Sequence, residues 1–273
     1  MRNALKFTSI LATAGVALSL AACGSSGSSS DANAPLKVVA SPTPHGQILK
    51  YVKDNLAEKA GLKLDIKEVT DYVTPNTAVQ DGSADANFFQ HVPYLEDFNK
   101  KHGTNIVSVE PVHLEPLGVY SKKVKAITDL PDGATIGLPN DATNEGRALK
   151  LLADNKLITL KDGVTTAATP ADVTGNPKNF KWKELEAAQL PRSVADLDAA
   201  VINGNYAIDS GLKPATDALV LEKADGNPYA NILAVKKGKE NDPRVKKLAE
   251  LLHSDEVKKY IDDTFQGSVI PAF

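Results

Sequence analysis

The chain has 273 residues, 31 Lys and Arg against 34 Asp and Glu, a net charge of -3 and a single cysteine. That charge balance excludes a strongly basic nucleic-acid binder. One cysteine excludes a disulfide within the chain and a cysteine-based metal site. The chain opens with Arg2 and Lys6, an apolar stretch from Ile10 to Leu20, and Leu20-Ala21-Ala22-Cys23. A positive start, a short apolar core and small residues before a cut describe a secretory signal over residues 1–22, too short and too rich in Ala, Thr and Ser to span a membrane well. Leu-Ala-Ala-Cys resembles a bacterial lipobox, which implies a lipid on Cys23 and a mature protein held by its acyl chains at the outer face of the cell membrane. Residues 23–35 (CGSSGSSSDANAP) are small, polar and aperiodic, as expected of a flexible tether.

Leu36-Lys37-Val38-Val39-Ala40 then reads as a buried strand. Thr43-Pro44 opens a helix carrying Ile48, Leu49, Val52 and Leu56 on one face, and Gly61 ends it. Leu62, Leu64 and Ile66 alternate with polar residues as a second strand, completing a βαβ unit. Thr74-Pro75 caps a short helix ending at Gly82. Strands are expected over 85–89, 105–109, 114–120, 134–138, 180–185, 206–208 and 231–236. Helices are expected over 91–101, 143–155, 194–202, 243–253 and 255–265. Strands alternating with helices imply an α/β fold with mainly parallel sheets. In such sheets ligands bind beyond the carboxyl ends of strands, where Tyr72, His91 and Asn140 fall.

Five stretches carry a family resemblance: Asp71-Tyr72-Val73-Thr74-Pro75-Asn76, the run from Asp85 to Tyr94, the run from Pro139 to Arg147, the run from Glu186 to Ser193, and Ala200-Val201-Ile202-Asn203. In order and spacing they resemble the methionine-binding lipoproteins of the MetQ/NlpA type, from about residue 36 to residue 273. The resemblance implies a two-lobed periplasmic-binding-protein type II fold with a ligand cleft between lobes. Residues 36–117 and 230–273 would form lobe one and residues 118–229 lobe two. It implies no enzymatic activity, catalytic residue, cofactor or resident metal. The partners it implies are an amino acid, methionine, and the membrane permease of an ABC importer. The ligand contacts map onto Tyr72, Phe89, His91, Tyr94, Asn144, Arg147, Asn203 and Asn231, with Glu115 as a further candidate.

These residue types suit a zwitterion. An unpaired buried charge costs several kcal/mol. Arg147 offers a planar fork for a carboxylate near a helix N-terminus, although an exposed helix arginine paired at the surface reads the same way in sequence. Asn144, Asn203 and Asn231 can accept from an ammonium, yet Asn144 also fits a helix cap and Asn203 a helix end. Tyr72, Phe89, His91 and Tyr94 can enclose a thioether, each sulfur–aromatic contact contributing about 0.3–1.5 kcal/mol. Packing alone would also account for the rings, as it does for Phe180 and Trp182. D-methionine and a methionine dipeptide remain alternative ligands. A metal receptor built on His45, His91, His102, His113 or His253 with Glu115 is a rival, as are an adhesin and an enzyme, although no G-x-S-x-G, H-E-x-x-H or phosphate-loop pattern occurs.

Overall fold

The computed structural model describes residues 33–164 and 166–273. The expected signal, Cys23 and nearly all of the tether lie outside them. Thirteen strands among the described residues form two large sheets and one two-stranded ribbon.

The first sheet has the order β13-β4-β12-β3-β1-β2. Its strands are β1 (Leu36–Ala40), β2 (Leu64–Glu68), β3 (Ala86–His91), β4 (Ile106–Leu114), β12 (Ala230–Lys236) and β13 (Ile270–Pro271). β1 pairs in parallel with both β2 and β3. Successive strand residues point to opposite faces, so one strand can serve two cores. Leu36, Val38 and Ala40 pack with Ile48, Leu49 and Val52 of α1 (Gln47–Val52). Val39 faces the opposite core with Val79 of α2 (Thr74–Asp81) and Leu95 of α3 (Val92–His102). Burial on both faces is why this strand reads as an unbroken apolar run.

The second sheet has the order β11-β5-β10-β6-β9. It comprises β5 (Gly118–Tyr120), β6 (Thr135–Pro139), β9 (Lys181–Leu185), β10 (Ala199–Ile202) and β11 (Val220–Leu221), while β7 (Thr159–Leu160) and β8 (Val173–Gly175) form the ribbon. On one face Val119, Ile136, Leu138 and Val201 pack with Leu149 and Leu152 of α4 (Ala142–Asp154), with Phe180 in the same core and Trp182 against it. On the other, Ala200 and Ile202 meet Leu190 of α5 (Leu190–Ser193) and Tyr206 of α6 (Gly204–Asp209). The short α7 (Pro214–Asp217) follows, and α8 (Pro243–Leu252) and α9 (Asp255–Phe265) return to the first sheet's core. The chain passes from the first sheet to the second through residues 115–117 and back through residues 222–229.

Four expectations are corrected. The sheets are mixed rather than mainly parallel: β12 runs antiparallel to β3 and β4, and β5 antiparallel to β10 and β11. The strand that enters each sheet after a passage, β5 or β12, runs against both of its neighbours. Residues 194–202 are not one helix, since 199–202 form the buried central strand β10. Four apolar residues are too few for periodicity to separate a buried strand from a buried helix turn. Residues 206–208 are not a strand but part of α6. Gly82 ends α2 in the left-handed region as expected, at φ 84°, and Gly103 ends α3 the same way at φ 65°. The N-cap of α2, however, is Val73 rather than Thr74, and Asp71 Oδ1 accepts from the Val73 and Thr74 amides just ahead of the helix.

Gly146 lies inside α4, where alanine would normally add helical stability of about 1 kcal/mol. A Cβ there would sit 2.7 Å from both the Ala168 backbone nitrogen and the Thr166 carbonyl oxygen. Gly146→Ala is therefore expected to destabilise the protein by about 1–3 kcal/mol, the usual cost of overpacking. Urea unfolding of the two proteins measures this, and a variant as stable as the parent would contradict it.

Candidate functional site

β3 delivers Phe89 and His91 to the start of α3. His91 is the N-cap: its Nδ1 accepts from the Tyr94 amide at 3.2 Å. The hydrogen therefore sits on Nε2, which donates to Asn144 Oδ1 at 3.2 Å. Burial pulls the His91 pKa down to about 3, with the Arg147 charge acting in the same direction. The ring is neutral at any ordinary pH.

Asn144 joins the two sheets. Its Oδ1 also accepts from Asn203 Nδ2 at 3.0 Å, and its Nδ2 donates to the Asp141 carboxylate at 3.0 Å. Asp141, not Asn144, caps α4, taking the Asn144 amide at 3.0 Å. Asn203 does not end a helix. It precedes α6 without making a side-chain cap, and its buried Oδ1 has no partner. A buried amide oxygen left open is costly unless something donates to it.

The aromatic residues converge. The Tyr72 ring lies 5.9 Å from Phe89, 5.7 Å from Tyr94 and 5.0 Å from Tyr206, centroid to centroid. Tyr72 Oη donates to Asn205 Oδ1 at 2.6 Å, and Tyr94 Oη donates to the Tyr72 carbonyl at 3.0 Å. Burial drives both phenol pKa values up. Tyr72, Tyr94, Phe98 and Tyr206 line a cavity of about 310 Å³ that Asp71, Asp97, Asn140, Asp141 and Glu186 also border.

Arg147 is the sixth residue of α4, beyond the free amides of its first turn, and 3% exposed. It is not a surface ion pair. Nε donates to Glu222 Oε1 at 3.0 Å, and Nη2 donates to Glu222 Oε2 at 2.5 Å and to the Glu115 carbonyl at 2.9 Å. The guanidinium carbon stands 4.3 Å above the Tyr229 ring, which also meets the His91 ring at 5.0 Å. Burial alone would raise the Glu222 carboxyl; the Arg147 charge and hydrogen bonds outweigh it and hold the group below its usual value. The edge of the fork expected to grip a ligand carboxylate is thus already engaged by a protein carboxylate. A second cavity, of about 540 Å³, is lined by Arg147, Glu222 and Tyr229.

Glu115 turns toward two histidines. Its Oε1 lies 2.8 Å from His113 Nε2 and 3.2 Å from His45 Nε2, and His45 Nε2 also meets Asn231 Oδ1 at 2.9 Å. All four residues are buried. His45, His113 and Glu115 could hold a metal ion by residue type and proximity. Metal-bound imidazoles, however, normally donate their second N–H to an acceptor, and Nδ1 of His113 has no partner. The 2.8 Å separation is that of a direct hydrogen bond, so the cluster is best described as two imidazole N–H groups supporting a buried carboxylate. His91, His102 and His253 lie outside it.

Of the residues singled out in the sequence, Tyr72, Phe89 and Tyr94 form one aromatic group, and His91, Asn144 and Asn203 one hydrogen-bonded chain. Arg147 joins that chain through Tyr229, and Asn231 and Glu115 meet at His45. Glu222, Tyr229, Asn205 and Tyr206 were not singled out. Only Tyr229, just after Asn227-Pro228 in the return passage, carries a local signal of a special position.

Residues 36–273 match the NlpA lipoprotein family. The methionine-binding lipoprotein MetQ of Bacillus subtilis (strain 168) is 42% identical over 266 residues, 96% of each chain. The D-methionine-binding lipoprotein MetQ of Escherichia coli (strain K12) is 39% identical over 269 residues, 98% of each chain. Among solved structures, a nutrient-binding protein from Burkholderia cenocepacia bound to methionine is 45% identical with a TM-score of 0.84, covering 87% of this chain and 100% of that one. A periplasmic substrate-binding protein of an ABC transporter from Coxiella burnetii is 45% identical with a TM-score of 0.83, over the same shares. The fold is the two-lobed α/β fold of such binding proteins.

Burial sets an acid limit on this site. His45, His91 and His113 are held at about 4, 3 and 3 by burial, below the ordinary 6.5. The unfolded chain takes up these protons first. The stability contributed by the neutral rings is therefore full above about pH 6.5 and is lost as pH falls toward the folded values. By about pH 5 each ring costs roughly 2 kcal/mol. Glu115, raised by burial, offsets part of this in the opposite direction. Urea midpoints are expected to fall clearly between about pH 7 and pH 5; a midpoint that holds or rises would contradict the buried, neutral assignment.

Proposed function

The chain belongs to the NlpA lipoprotein family, and on that premise we propose that it is an extracytoplasmic receptor that binds methionine, as the L-isomer, and delivers it to an ABC importer. Residues 36–117 and 230–273 make lobe one, and residues 118–229 make lobe two. A diacylglyceryl group on Cys23 holds the protein at the outer face of the cell membrane. No helix of the described residues is long and apolar enough to cross a membrane, so passage across it is assigned to the separate permease. The similar proteins include a methionine-binding lipoprotein and a periplasmic substrate-binding protein of an ABC transporter, and the role proposed here is capture without chemical conversion.

The observation that carries this reading is Asn203 Oδ1, a buried acceptor with no partner, whose amide bonds Asn144 and through it His91, and the His91 ring meets the Tyr229 ring that lies beneath Arg147. A zwitterion supplies what that pair lacks. Its ammonium donates to Asn203 Oδ1, and its carboxylate accepts from Arg147 Nη1, which makes no hydrogen bond to the described residues. Tyr72, Phe89 and Tyr94 then take the thioether. The aromatic residues come from the first sheet's half, and Asn144, Arg147 and Asn203 from the second. A ligand touching both favours the closed arrangement by its differential affinity for it.

Arg147→Ala would leave Glu222 buried without a counter-charge, which by itself is destabilising. Arg147→Lys is the sharper test, because it keeps a cation for Glu222 and removes Nη1. Calorimetry is expected to show methionine bound one-to-one by the parent and about tenfold to a hundredfold more weakly by the variant, at similar melting temperature. Equal affinity for both proteins would rule out the assigned carboxylate contact.

A further inference from the structure

Arg147 reaches both passages of chain between the sheets. Nη2 donates to the carbonyl of Glu115 in the outgoing passage, and Nε and Nη2 bind Glu222 in the returning one. Glu222 ties the passages to each other as well. Its backbone amide donates to the Leu117 carbonyl at 2.9 Å, and its Oε2 accepts from the Leu117 amide at 3.2 Å. Both side chains of the ion pair are largely buried, at 4% and 14% exposure. Of the guanidinium's five donors, Nε and both Nη2 hydrogens are consumed. The two Nη1 hydrogens remain.

We propose that Glu222 is the positioning residue of the binding site: by gripping the Nε–Nη2 edge of Arg147 against the passages between the sheets, it fixes the guanidinium plane and leaves Nη1 as the single group presented to the ligand's carboxylate. A free arginine side chain samples many rotamers, and ordering it costs on the order of 1–2 kcal/mol. The Glu222 pair and the Tyr229 ring meet that cost before the ligand arrives. The pair also cancels the arginine's net charge, so the site suits a neutral zwitterion better than an anion. Glu222 touches no ligand atom in this scheme and acts only through Arg147.

The inference rests on the methionine reading, and the test separates the two. The parent and Glu222→Gln are titrated with methionine and with methioninol, in which a hydroxymethyl group replaces the carboxylate. Methionine affinity is expected to fall about tenfold or more in the variant, the scale of one charge-assisted hydrogen bond. Methioninol affinity should change less than about twofold, since it makes no carboxylate contact. Glu222→Asp keeps the charge with a shorter reach and should show an intermediate, equally carboxylate-specific loss; it carries the test if the glutamine variant does not fold. Equal losses for both ligands would make Glu222 a structural residue only. Unchanged methionine affinity would remove its role, and tighter binding would make it a competitor for Arg147. A parent protein that binds no methionine would sink the functional reading, and the inference with it.

Discussion

The arrangement depends on one constraint: a single guanidinium is shared by the two passages of chain that connect the sheets. Arg147 starts from a helix of the second half and ends between Glu115 and Glu222, with Tyr229 beneath it. A buried ion pair of this kind gains little net stability, because desolvation of both charges roughly cancels their attraction. What it gives instead is geometry. The cation is neutralised, its plane is fixed, and its position follows the segments that must flex if the halves move relative to each other.

Around it, Asn144 and His91 make most of the hydrogen bonds open to them. Asn144 donates its amide to both oxygens of the Asp141 carboxylate and spends its carbonyl on His91 and Asn203. His91 can bridge α3 and α4 only because one nitrogen is committed to capping, which fixes its tautomer, and because burial keeps it neutral. Against this background the open Asn203 oxygen is informative: its partners Asn144 and His91 are satisfied, and an orphan acceptor beside them marks where a donor belongs. A ligand that supplies one ammonium and one carboxylate completes the set without leaving a net charge behind.

Much of the architecture was legible in the sequence, and the failures have physical reasons. β1, β3, α3, α8 and α9 follow from apolar periodicity and from glycines that must adopt positive φ. Ala199–Ile202 failed because a short buried strand and a buried helix turn present the same apolar run. The mixed strand directions were out of reach, since antiparallel pairing at β12 depends on how the chain returns from the other half. For the site, motifs brought Tyr72, Phe89, His91, Tyr94, Asn144 and Arg147 forward, but not what each one does. Asn144 looked like a cap and is an inter-sheet linker; Arg147 looked like an open fork and has one edge occupied. Glu222 sits in a charged stretch, Glu222-Lys223-Ala224-Asp225, with no motif to single it out, and only the three-dimensional return of the chain brings it to the guanidinium. His45 and His113 lie 68 positions apart and converge through β4 and the turn after β1.

The central claim is that this set of side chains holds one small zwitterion. Native mass spectrometry of the protein as purified tests it most directly, because a ligand held between two halves leaves slowly. The account predicts a single noncovalent adduct with the mass of methionine, lost on denaturation and restored by adding L-methionine to the stripped protein. An adduct with the mass of a metal ion or an unrelated molecule, or a stripped protein that takes up no methionine, would contradict it.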